Sequence, residues 1–278
     1  MKLSLIIWIL FTSLLFQQKE EIYHVVHVKG TVINKKTKQA LKLQDQLKPS
    51  DELIYQTPDA RVVVYSTAKG RFLLDKPTAD KAGKADAPLS EYWRFVKNLF
   101  MPASAGEHLS TRALETPAID DLESFFGINT FVFIGDTYKL RVDRGEYPMS
   151  GGKYFVYKYV YNGTDYSKRI AHTGDTLIFD RKSLYTIKDQ VISPEEAGKV
   201  DIYYFNARTS PLKITTMRPV FLPEVQLKKE LQGMISILKN QQLSEESLID
   251  QLYEHVVVVY GRTNRQMLKE WIERNLNI

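Results

Sequence analysis

The 278-residue sequence contains no cysteine. That excludes disulfides, thiolate metal sites, a cysteine nucleophile and lipidation at an N-terminal cysteine. A dominant charge is missing too: 38 Lys and Arg stand against 33 Asp and Glu, a formal net of +5. A modest balance of mixed sign does not point to nucleic acid. There is no HExxH, EF-hand loop, G-x-S-x-G, Walker A motif or G-x-G-x-x-G. Zinc-peptidase, calcium-sensor, hydrolase-elbow, P-loop and dinucleotide chemistries therefore lack their usual signatures. No tandem repeat of clear period is present. What remains is ordinary for a folded protein, with 44% hydrophobic and 26% charged residues. Global disorder and a multi-span membrane protein are excluded. The length allows one large or two ordinary domains.

One apolar run stands out. Leu3 to Phe16 reads LSLIIWILFTSLLF behind Lys2. About 20 residues are needed to span a hydrocarbon core, so the run is short for a transmembrane helix. It fits the hydrophobic region of a secretory signal peptide, expected over residues 1–18. Thr12 and Ser13 lead into Leu-Leu-Phe-Gln-Gln, without the small residues of an A-x-A-like cleavage site. An uncleaved N-terminal anchor is the alternative. Either reading sends the rest of the chain across a membrane, and any membrane contact is expected only through this segment.

The rest reads as β grammar followed by helices, with the organisation expected in four parts. Residues 22–75 hold runs rich in Val, Ile, Tyr and Phe, bounded by Gly, Pro and Asp, which are strand signals. Thr67-Ala68-Lys69-Gly70 reads as a hairpin turn. Residues 76–127 read as a linker. Within it, Leu89, Trp93, Val96 and Phe100 form one face of a helix capped by Ser90, and a short helical piece ends at Gly127. Residues 128–222 hold seven candidate strands, with Asn162-Gly163 the strongest hairpin signal. Residues 223–278 turn helical. Leu227, Leu231, Met234 and Leu238 mark one helix. Ser244 opens a second with Leu248, Leu252, Val256 and Val259 on its apolar face. Thr263 to Gln266 fits a capping box for a third. The expected fold class is mainly β, with two β-rich modules of sandwich or barrel type and a helical C-terminal segment.

In the first module the order of residues is familiar. Val28-Lys29-Gly30-Thr31-Val32 opens it, and Leu43 to Leu47 and Asp51-Glu52-Leu53 follow. Ala60 to Tyr65 and Gly70 to Leu74 close it. G-x-V, a stretch ending in D-x-L, an alanine-led apolar strand and a G-x-x-L hairpin together resemble a FecR-type domain over about 55 residues. The resemblance implies a small extracytoplasmic β module used in protein contacts. Membrane-bound members of that family relay signals to sigma factors from a cytoplasmic N-terminal segment. Only Met1 and Lys2 precede the apolar run here, so that role is not expected to carry over.

Chemistry-bearing residues are sparse. His24 and His27 differ by an odd step and are expected on opposite faces of a strand, unable to share a metal ion without a bulge. Ser66-Thr67-Ala68-Lys69 matches S-x-x-K, but it sits at a strand turn instead of opening a helix, and no S-D-N partner exists. Arg262, Arg265, Lys269 and Arg274 on the last helix are interleaved with Glu270 and Glu273, a mixed pattern that argues for packing over nucleic-acid reading. Phe155, Tyr157, Tyr159 and Tyr161 alternate along one strand. The candidate binding residues are Tyr157, Tyr159 and Tyr161, whose face is either an exposed aromatic shelf or a core face. No catalytic residue, metal site or cofactor is expected. The expected role is an exported, non-enzymatic cell-envelope protein acting through protein contacts. The alternatives are a carbohydrate or cell-wall binder using the aromatic face and an envelope hydrolase assembled from Asp, Glu and Tyr. Envelope protein or glycan is the expected partner.

Overall fold

The computed structural model describes residues 21–75, 118–206, 209–276 and 278. The apolar N-terminal run, the stretch from 76 to 117 and the helix expected after Ser90 lie outside them. The chain divides into two units, Met1–Met101 and Pro102–Ile278.

In the first unit, β1 (Tyr23–Lys29), β3 (Gln46–Leu47), β5 (Arg61–Ser66) and β6 (Gly70–Asp75) form an antiparallel sheet in the order β3-β1-β5-β6. A two-stranded ladder joins β2 (Val32–Asn34) to β4 (Leu53–Tyr55). Val62 and Val64 of β5 share a buried cluster with Tyr23, Val25, Phe72 and Leu74. β1 is not regular. His24 faces Tyr65, Val25 faces Val64, and His27 faces Val63, which leaves Val26 as an extra residue. The bulge turns His24 and His27 to the same side of the sheet, correcting the alternation expected from sequence. The hairpin at 67–69 forms as expected, with Ser66 opposite Gly70 and Gly70 in the left-handed region at φ +81°.

The second unit is a sandwich of two sheets with helices at its C-terminal end. Its elements are α1 (Leu122–Phe126), β7 (Thr130–Ile134), β8 (Thr137–Arg141), β9 (Tyr154–Tyr161), β10 (Thr164–Arg169), β11 (Ala171–Thr173) and β12 (Thr176–Asp180). There follow α2 (Arg181–Tyr185), β13 (Thr186–Ile187), β14 (Gln190–Val191), α3 (Pro194–Ala197), β15 (Val200–Phe205) and β16 (Leu212–Leu222). The larger sheet runs β10-β9-β15-β16-β7, antiparallel except for the parallel β16–β7 pair. The smaller runs β11-β12-β8. Both have open edges, so neither closes into a barrel. The run from Thr164 to Thr173 breaks at the buried Ile170, giving β10 to one sheet and β11 to the other.

Inward residues of both sheets build one aromatic core. Phe131, Phe133, Phe155, Tyr157 and Ile202 come from the larger sheet, and Tyr138, Leu140, Leu177 and Phe179 from the smaller. Phe133 stacks between Phe179 and Phe221, with ring centroids 5.0 and 4.9 Å away. Burying each such ring contributes about 1.5–3 kcal/mol. Leu122 and Phe126 of α1 enter the same core, so the C-terminal end of the expected linker is part of this unit. Asn162 and Gly163 take φ +49° and +74° in the two-residue turn joining β9 to β10, the primed geometry the dipeptide favours.

The C-terminal helices are α4 (Glu224–Leu238), α5 (Glu245–Val259) and α6 (Arg265–Asn275). Leu227, Leu231, Met234 and Leu238 are the buried stripe of α4, as their spacing predicts. Ser244 caps α5 by accepting from Ser247 N. The buried stripe of α5 is Ile249, Leu252, His255 and Val256; Leu252 and Val256 are as expected, with Ile249 and His255 buried in place of Leu248 and Val259. Asn264, not Thr263, caps α6. Thr263 is used elsewhere: its Oγ1 donates to Val132 O at 3.0 Å. Arg262 exchanges backbone bonds with Thr130 and Val132. Residues 262–263 therefore strap the outer edge of β7.

The β13–β14 hairpin turns through Lys188 and Asp189, both left-handed at φ +45° and +67°. Lysine is a poor fit to that region and aspartate an occasional one, whereas Asn-Gly is favoured there. The double change Lys188→Asn with Asp189→Gly should stabilise this unit by about 1 kcal/mol. A rise in the urea midpoint read by near-UV circular dichroism would show it; a fall would mean the turn is not strained.

Candidate functional site

The three candidate tyrosines share a face, and that face is the core. Tyr157 and Tyr159 are 0% and 2% exposed, and Tyr161 is half-buried against the same cluster. The phenol of Tyr157 pairs with that of Tyr185 at 2.7 Å, and Tyr159 donates to Leu184 O at 3.0 Å. Burial pushes both hydroxyls above their ordinary pKa. These residues form no exposed shelf. The reason is period two: with Phe155 inside, residues 157 and 159 must be inside as well.

The opposite face of the same sheet carries the aromatic surface. Tyr154 of β9 lies opposite Phe205 of β15, and Val156 opposite Tyr203. The rings of Tyr154 and Phe205 stack at 5.3 Å with their planes 3° apart. From β10, Arg169 sets its guanidinium carbon 4.5 Å over the Tyr154 ring. From β16, Lys213 reaches to 6.0 Å over Tyr203. Each contact of this type is worth about 0.5–1 kcal/mol at an exposed site. All three rings are half-buried, and both cations are exposed. Val160, further along β9 on this face, is 51% exposed.

Lys213 reaches this face only through an irregularity. Ile202 pairs with Thr215, but the next residue, Tyr203, pairs with Lys213. Ile214 is the extra residue. Without this bulge, strict alternation from Met217, which packs in the core, would turn Lys213 inward. The polar rows beside the rings are ion-paired: Lys213 with Asp201 at 2.8 Å and Lys158 with Asp165 at 3.2 Å. Burial pulls the Asp201 carboxyl up, but hydrogen bonds from Lys213 and Thr216 outweigh it and hold the group below the ordinary range. The same bond to Asp201 raises Lys213.

Other candidate groups are tied up in packing. Ser66, at 1% exposure, donates to Glu21 at 2.8 Å, and Lys69 pairs with the same carboxylate. The bond from Glu21 raises the Lys69 pKa, the opposite of what a lysine base needs. Glu21 is drawn up by burial and carried below its ordinary range by Lys69 and Ser66. Arg265 and Lys269 of α6 engage Glu246 and Asp250 of α5, so the cations of the last helix join helices. Glu230 of α4 accepts from Tyr260 at 2.5 Å and lies 3.5 Å from His255, all in the helical interior. Among the described residues no three His, Asp or Glu side chains converge as metal ligands.

The Tyr154–Phe205 row escaped the sequence reading because it spans three strands. Only the register of β10, β9 and β15 aligns it. Its one visible trace was the aromatic content of VDIYYFN next to KYFVYKYVY. No protein-family model matches this chain, and no curated protein matches it significantly.

Tyr159→Ala should cost about 3–5 kcal/mol, as truncation of a buried aromatic does, whereas Tyr203→Ala should stay within roughly 1 kcal/mol. Chemical melts of the two variants compare the faces, and equal losses would contradict the assignment. Asp201 supplies a pH test. Its folded pKa is depressed, so its stabilisation is present above the unfolded value near 3.8 and disappears as pH falls through the folded value. Asp201→Asn should therefore cost up to about 1 kcal/mol at neutral pH, discounted for solvent screening. The gap from the parent should close in acid melts; a gap independent of pH would assign the loss to packing.

Proposed function

We propose that this is an exported, non-enzymatic protein of the cell envelope that works through protein–protein contacts, with a FecR-like β module at its N-terminal end. The apolar run at Leu3 to Phe16 supports export. The observation that carries the binding reading is the aromatic–cation row of Tyr154, Phe205, Arg169, Tyr203 and Lys213 on the outer sheet face, its rings half-buried and its cations exposed among the described residues. Rigid aromatic side chains and arginine are the residue types that dominate protein interfaces.

A carbohydrate shelf fits this row less well. Sugars stack on open ring faces, but the Tyr154 ring already stacks on Phe205 and carries Arg169 over it. A hydrolase reading is weaker still, since catalysis needs a cleft with converging polar groups, and this row lies on a sheet face.

A photo-crosslinking residue at position 205 of the full chain, in the cell that makes it, tests the reading. Position 139, an exposed site on β8 of the other sheet, is the control. A discrete adduct from 205 alone, recovered with the envelope, is expected. Adducts of equal yield from both positions, none from either, or adducts confined to the cytosol would sink the proposal.

A further inference from the structure

Two other features of the molecule are self-contained. The Glu230–His255–Tyr260 cluster lies inside the helical interior, and the Ser66–Glu21–Lys69 group closes a hairpin. The outer sheet face differs, because its chemistry is directed outward. Resting on the contact surface proposed above, we infer that its occupant is an acidic, apolar-flanked segment of a partner protein, with a carboxylate seated at Arg169.

The electrostatics of the rings come first. An aromatic ring is negative on its face and positive on its edge. Tyr154 and Phe205 are stacked 3° from parallel at 5.3 Å, and Arg169 lies over the Tyr154 ring with its guanidinium carbon 4.5 Å from the centroid. The exposed charge at this end of the row is the Arg169 guanidinium. Such a surface suits an anion and repels a cation.

The ion pairs narrow this further. Lys213 is neutralised by Asp201, and Lys158 by Asp165. Arg169 makes no carboxylate pair among the described residues and is exposed. Its guanidinium carbon lies 4.5 Å from the Tyr154 ring centroid, and its N–H groups form a planar fork. That planar fork matches a carboxylate with two parallel hydrogen bonds. Alongside lie the half-buried rings of Tyr154, Phe205 and Tyr203, with Val160 exposed further along the same face. Apolar side chains flanking the acid would cover these, and a bare polyanion would not. A protein segment with interspersed acidic and apolar residues meets both demands.

The probe is a fluorescein-labelled ten-residue peptide of alternating Glu and Leu, titrated with the full chain by fluorescence anisotropy. The same peptide with Gln for Glu, and a polyphosphate chain, are the comparisons. The Glu–Leu peptide should bind about tenfold more tightly than the Gln–Leu peptide and weaken as salt is raised. Arg169→Gln should remove about that same factor, and Arg169→Lys should recover only part, since an ammonium lacks the fork. Equal binding of both peptides, with loss of binding in Phe205→Ala, would overturn the acidic partner and leave the face as a contact surface. Binding unchanged in both Arg169→Gln and Phe205→Ala would remove the face itself. Tighter binding of polyphosphate than of the Glu–Leu peptide, or no peptide binding up to about 1 mM, would also overturn the inference.

Discussion

Two phenol hydroxyls placed inside an apolar sandwich need hydrogen-bond partners there, and the second unit is arranged around that need. A buried donor left unsatisfied costs about 1–3 kcal/mol. The short helix after β12 supplies both partners, the hydroxyl of Tyr185 and the carbonyl of Leu184. With Tyr157 and Tyr159 so anchored, β9 cannot slip by one residue without expelling both. Its even positions are thereby committed outward. The register with β10 and β15 then brings Arg169, Tyr154 and Phe205 into one row.

The outer face of the larger sheet is unequal along its width. Toward β7 and the end of β16, Val132 and Leu222 are buried although Phe131, Phe133 and Phe221 are the residues that enter the aromatic core. There α4 departs two residues after Leu222, and the 262–263 strap returns to Val132. Toward β10 and β9 the outward side chains other than Val156 are half-buried or exposed. The same sheet is thus packed at one edge and available at the other.

Much of the architecture was legible because it depends on local chemistry. Asn162-Gly163 asks for one kind of turn whatever surrounds it, and Leu227, Leu231, Met234 and Leu238 repeat at helical spacing over about three turns. Three things were not legible, each for a physical reason. The two bulges, at Val26 and Ile214, arise from pairing with a distant strand and leave no mark in the strand's own sequence. Thr263 looked like a helix cap because its hydroxyl could serve either the helix or β7, and a partner 131 residues away decided the matter. The candidate tyrosines fell on the inward face of β9. Alternation identified two faces correctly, but the denser stripe of tyrosines was inward, since phenols with internal partners pack as well as phenylalanines.

The strap at residues 262–263 has a consequence for the fate of a damaged chain. β7 is the run Thr-Phe-Val-Phe-Ile, rich in residues that favour extended pairing, and it lies at the edge of its sheet. Residues from beyond two helices occupy the backbone groups on that edge. A chain nicked between α4 and α5 could lose them while its aromatic core stayed intact. The fragment would then offer an apolar, unpaired strand to its own copies, which is the starting point of ordered aggregation. The C-terminal helices therefore guard solubility as much as they add stability.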